Sequence, residues 1–110
     1  MNTFLLRVII LFSLSILAFN VKAAPVFELT IQQHLFYPAE LVIPADTKVK
    51  LIIKNQDDTA EEFESYELNR EKVIPGQSSG VIFIGPLPAG SYPFFGEFFP
   101  KTAQGKIIVK

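Results

Sequence analysis

The sequence contains no cysteine, no tryptophan, one methionine and one histidine. Without cysteine there is no disulfide, and no thiolate to serve as nucleophile or metal ligand. The methionine is Met1, so a thioether ligand is missing from the rest of the chain. His34 is the one imidazole. A Ser–His–Asp arrangement would need His34 beside Ser65, Ser78, Ser79 or Ser91, and no local signature supports it. There is no Gly-rich phosphate loop and no H-E-x-x-H. An excess of basic residues is also missing, so nothing resembles an electrostatic footprint for nucleic acid.

What is present begins with the chain's longest hydrophobic run. Arg7 supplies a positive start, Val8 to Phe19 is apolar apart from Ser13 and Ser15, and Val21-Lys22-Ala23 is a small-residue cleavage signal. These three parts predict a secretory signal peptide over residues 1–23 and a periplasmic address for the remainder. The run is short for a span of about 20 residues. The domain that follows, 24–110, has 87 residues and therefore a thin core. It holds eight phenylalanines, and packing must supply the stability that disulfides give other small secreted domains. It carries eight basic and eleven acidic residues, a net charge of −3. Seven of the acids (Asp57, Asp58, Glu61, Glu62, Glu64, Glu67 and Glu71) fall within fifteen positions, a solvated acidic edge or a surface attractive to cations.

Short apolar runs punctuated by Gly, Pro, Asn or Asp predict strands at Val26–Gln32, Glu40–Ile43, Val49–Lys54, Glu61–Ser65, Val81–Ile84, from Tyr92, and at Lys106–Lys110, while Glu67 to Ile74 is a polar stretch that ends in Val73 and Ile74. No segment shows capped helical periodicity. In the first strand Phe27, Leu29 and Ile31 share a face; in Glu61–Ser65 an inward Phe63 takes Glu61 and Ser65 with it and turns Glu62 and Glu64 away. Asn55 to Thr59 is a loop. The Gly90–Phe94 run has the look of a tyrosine corner, and Pro93 should lie at an edge or bulge. The pattern implies an all-β sandwich or barrel. Glu97 stands in the YPFFGEFFPKTAQG stretch among four phenylalanines, either at an exposed strand end or held by a cation. An unpaired buried carboxylate costs several kcal/mol, so something should compensate it.

The runs FYPAELVIPA (36–45), EEFES (61–65), REKVIPG (70–76), GPL (85–87), YPFFGEF (92–98), Thr102-Ala103 and Gly105 resemble the small periplasmic cupredoxin-like proteins of bacterial ferrous-iron uptake systems, and more loosely the cupredoxin domain of the EfeO type. The resemblance implies a cupredoxin-like Greek-key β-sandwich of about eight strands. It also implies a metal site at one end, from the loops before Glu61–Ser65 and before the last strand. His34 stands where the family usually has a histidine. Glu61 or Glu62 stands where copper-binding relatives carry one; Phe63's inward direction favours Glu61 and the motif favours Glu62. Phe99 replaces the family's usual histidine after Gly-Glu-Phe.

The candidate metal ligands are therefore His34, Glu61, Glu62 and Glu97. One imidazole with carboxylates suits a copper(II) or iron ion. A blue-copper centre, which needs a Cys thiolate, is excluded. By resemblance the partners are a periplasmic iron/copper-binding protein and a membrane iron permease, with at most an accessory part in ferrous-iron oxidation. The rival expectation is an interaction module in which the aromatic Phe95–Phe99 region docks a partner.

Overall fold

The computed structural model describes residues 22–110, so the expected leader lies outside the described residues except for its last two positions. Nine strands follow: β1 (Val26–Gln32), β2 (Leu35–Tyr37), β3 (Glu40–Ile43), β4 (Val49–Asn55), β5 (Glu61–Ser65), β6 (Arg70–Ile74), β7 (Ser78–Ile84), β8 (Gly90–Gly96) and β9 (Gln104–Val109). They form a four-stranded sheet in the order β2-β1-β4-β7 and a five-stranded sheet in the order β3-β9-β8-β5-β6. The β1/β4 and β3/β9 pairs are parallel and the others antiparallel, so the chain crosses repeatedly between sheets. The described residues contain no helix.

Alternation along each strand places the core between the sheets. Leu29, Ile31, Val49, Leu51, Ile53, Ile82 and Ile84 come from one sheet. Leu41, Ile43, Phe63, Ile74, Phe94, Ile107 and Val109 come from the other. Phe36 meets Phe94 edge-on at 4.9 Å, and Phe63 stacks on Phe94 at 5.0 Å. Truncating a fully buried phenylalanine of this kind costs about 3–5 kcal/mol. In a chain without disulfides this aromatic cluster and the aliphatic layers around it carry the fold.

The inward faces of β1 and β5 are those the alternation predicts: Leu29 and Ile31 in one, Glu61, Phe63 and Ser65 in the other, are buried. The tyrosine corner is present, with the Tyr92 hydroxyl donating to Pro88 O at 2.8 Å. Pro93 differs from a simple edge residue, because β8 lies inside the larger sheet. Its ladder with β5, however, covers only Phe95 and Gly96, and the Ser65 hydroxyl takes the Pro93 carbonyl at 2.7 Å. The proline sits where the β5 pairing has already ended, and there its missing N–H costs no ladder bond to that strand. Strand β2 is too short to show any periodicity in the sequence.

The β1–β2 turn, the β4–β5 loop (56–60), the β6–β7 turn and the β8–β9 loop (97–103) gather at one end of the sandwich. Asn55, 3% exposed, ties the β4–β5 loop to the β6–β7 turn. Its amide donates to Thr59 O, Ile74 O and Pro75 O at 2.9, 3.1 and 3.3 Å, and its oxygen accepts the Asp57 N–H at 3.0 Å. The backbone N–H of Gln77 then donates to Asp57 O at 2.8 Å.

Candidate metal centre

His34 lies at the tip of the β1–β2 turn with a left-handed backbone (φ 59°), as does Gln33 (φ 53°). Its ring stacks on Phe99 of the β8–β9 loop, with centroids 3.6 Å apart and planes 14° apart. Nδ1 is 3.4 Å from Asp57 Oδ2. Nε2 has no hydrogen-bond partner among the described residues, and the side chain remains 39% exposed.

Glu61, at the start of β5, is 1% exposed. The same alternation that buries Phe63 forces this carboxylate inside. Oε1 accepts the backbone N–H groups of Glu62 and Phe98, both at 2.9 Å. Oε2 is buried with no hydrogen-bond partner among the described residues. It lies over Gly96, where an added Cβ would overlap the carboxyl and approach Ala103 Cβ to 2.7 Å. Gly96 is thus the residue whose missing side chain leaves room for Glu61. A buried carboxylate oxygen without a donor is unfavourable unless a proton or cation answers it.

Glu62 and Glu97 belong to a different surface, the outer face of the five-stranded sheet. Glu97 is exposed, and its N–H donates to Glu62 O at 2.9 Å. The surrounding phenylalanines do not desolvate it: Phe94 points into the core, Phe98 is 48% exposed and Phe99 turns to His34. Glu62, Glu64 and Glu71 place carboxylate oxygens within 4.8 Å of one another. Glu64 faces Glu71 directly across β5 and β6. A hydrogen bond with Glu62 that favours the neutral carboxyl, then desolvation, then the charges of Glu71, Glu62 and Glu97, push the Glu64 carboxyl from 4.5 up to about 7.

The four residues named from the sequence are therefore divided. His34 and Glu61 both reach the β8–β9 loop, touching its consecutive residues Phe99 and Phe98. Glu62 and Glu97 look outward with Glu64. Among the described residues the group of three close ligand atoms is Glu62, Glu64 and Glu71. From the sequence, Asp57 and Glu71 stood out only as members of the acidic run 57–71, not as site residues. Glu71's place depends on the β5/β6 register, which no local pattern reveals. Asp57 could have been found as an Asx acceptor in a loop between strands.

Comparison with known proteins places this geometry. A family model described as the cupredoxin-like domain matches residues 4–109. The chain belongs to the cupredoxin-like domain family. An uncharacterized protein of Rickettsia prowazekii (strain Madrid E) is 49% identical over 82 residues, 74% of this chain; the match spans 66% of that relative's length, just under two thirds. Among solved structures, auracyanin A, a "blue" copper protein of Chloroflexus aurantiacus, superposes with a TM-score of 0.68 at 13% identity, over 80% of this chain and 100% of its own. The metal-binding domain of the Streptococcus pneumoniae D39 Cu(I)-exporting P-type ATPase, solved with Cu(I), gives 0.67 at 14%, over 83% and 91%. Amicyanin of Paracoccus versutus gives 0.61 at 20%, over 83% and 86%. At these identities the shared property is the cupredoxin-like fold.

This cupredoxin-like chain does not fit a thiolate-bound copper, since it has no cysteine. Its donors are one imidazole and carboxylates. With the unpartnered Oε2 of Glu61, they fit an ion that accepts oxygen and nitrogen ligands, Cu(II) or iron.

Proposed function

We propose that this protein is an exported metal-binding domain that serves the uptake of iron or copper, holding Cu(II) or an iron ion through oxygen and imidazole donors. The observation that carries this reading is the buried Oε2 of Glu61, which lacks a hydrogen-bond partner among the described residues, at the loop end where the half-exposed His34 ring meets Asp57 through Nδ1. His34 and Glu61 are the principal ligands in this reading; Glu62 and Glu97 offer oxygens on the adjoining outer face. The leader-like residues 1–23 support a periplasmic address. The motif resemblance supports work beside a periplasmic iron/copper-binding protein and a membrane iron permease. Copper-binding fold neighbours add support from the fold alone.

Calorimetric titration of the protein with Cu(II) and Fe(III) tests it. One ion per chain is expected, with affinity falling at least about tenfold, or roughly 1.4 kcal/mol, in Glu61→Gln and in His34→Ala. Binding no tighter than to an acidic control protein overturns the reading, as does a loss confined to Glu64→Gln.

A second reading, a docking module, is favoured by one observation. A hollow of about 340 Å³ lined by His34, Phe98, Phe99, Pro100, Lys101 and Thr102 opens at the same end. It predicts a partner complex that survives Glu61→Gln and is lost in Phe98→Ser.

A further inference from the structure

Asp57 holds the His34 turn at three points. Its Oδ1 accepts the Gln33 N–H at 2.7 Å, its Oδ2 accepts the His34 N–H at 3.0 Å, and Oδ2 lies 3.4 Å from His34 Nδ1. The two consecutive left-handed residues aim their N–H groups at one carboxylate, a concave arrangement of donors that suits an anion. Asp57 is itself fixed. Its N–H donates to Asn55 Oδ1, its carbonyl accepts from Gln77, and its side chain is 14% exposed. On the other side of the imidazole, Phe99 lies nearly parallel at 3.6 Å. The ring therefore has a wall on its face and a carboxylate at its Nδ1 edge.

We infer that Asp57 is the positioning residue of His34: it keeps the proton of the neutral imidazole on Nδ1 and leaves Nε2 unprotonated and outward, ready to ligate. Histidines bound to metal commonly give their other ring N–H to a carboxylate, which fixes the tautomer and raises the basicity of the ligating nitrogen. At 3.4 Å the contact is long for a hydrogen bond, so its effect on the ring is chiefly electrostatic, while the two backbone bonds set the position. The inference rests on the reading of His34 as a ligand, but it has consequences for the metal-free protein.

The test is the ring ¹⁵N chemical shifts of His34 in the metal-free protein at about pH 8, where free imidazole is neutral. The Nδ1–H form should dominate in the unsubstituted protein. Asp57→Asn, whose amide can donate to Nδ1, should shift the ring towards Nε2–H and lower Cu(II) affinity roughly tenfold to hundredfold. Glu61→Gln should weaken copper binding and leave the tautomer unchanged. An Nε2–H ring in the unsubstituted protein overturns the inference without any variant, even where copper binds. An Nδ1–H ring that responds to Asp57→Asn in a protein that binds no copper supports Asp57's hold on the ring and removes the metal reading instead.

Discussion

At the scale of single residues, Glu61 is the most constrained group in the molecule. One oxygen satisfies two backbone donors, and the other faces the floor formed by Gly96. Glu61→Ala leaves the Glu62 and Phe98 N–H groups without their acceptor and opens a void, so a loss of about 2–4 kcal/mol is expected in urea unfolding. Glu61→Gln keeps an acceptor and should cost about 1 kcal/mol or less. Glu64 gives a pH prediction of definite sign. Between pH 4.5 and about 7 the folded chain retains a proton that the unfolded chain has released. Stability from this group therefore falls as pH rises through that window, and the penalty stays constant above it. Glu64→Gln should raise the Tm above pH 7 and leave it unchanged well below pH 4.5, with the gain shrinking in high salt because the outer-face charges are screened. Equal Tm shifts at both pH values would contradict the like-charge account.

At the scale of elements, Asn55 ties the β4–β5 loop to the β6–β7 turn, Asp57 joins the β1–β2 turn to them, and the His34–Phe99 stack brings in the β8–β9 loop. Asn55→Ala should cost about 1–3 kcal/mol, and amide exchange should quicken in residues 56–60 and 75–77 more than in β1 or β9. Uniform loss of protection across both sheets would place Asn55 in the global core instead. Strands were the legible part of this sequence. Val26–Gln32, Glu40–Ile43 and Glu61–Ser65 have the bounds that alternation and proline punctuation indicate. The last strand begins two residues before its expected start, and β7 starts three before the apolar run, because Ser78, Ser79 and Gly80 pair with β4 without apolar side chains. The inward turn of Glu61 was also legible, since Phe63 fixes the phase of its strand. The placing of Glu97 was half legible: the sequence left it at an exposed strand end or held by a cation, and it stands exposed just past the end of β8 while Phe94 enters the core and Phe99 stacks on His34. Asp57's hold on His34, which joins two loops 23 positions apart, was not legible.

At the scale of the whole molecule, two sheets with no disulfide carry a loop end from which sulfur ligands are missing and where an inward carboxylate lies above a glycine. The outer face of the larger sheet gathers Glu62, Glu64, Glu71 and Glu97, so the molecule is acidic beside the proposed centre. That field raises the local concentration of cations and speeds their arrival, an effect that weakens with salt. Phe99, stacked on His34, is the position at which a second imidazole would be added; Phe99→His should tighten Cu(II) binding by at least about tenfold. The central claim is that one ion is held by a single imidazole and carboxylate oxygen with no sulfur. Electron paramagnetic resonance of the Cu(II)-loaded protein tests it most directly. The account predicts coupling to one nitrogen, lost in His34→Ala and altered in Glu61→Gln. A Cu(II) signal without nitrogen coupling, unchanged by either substitution, would contradict it.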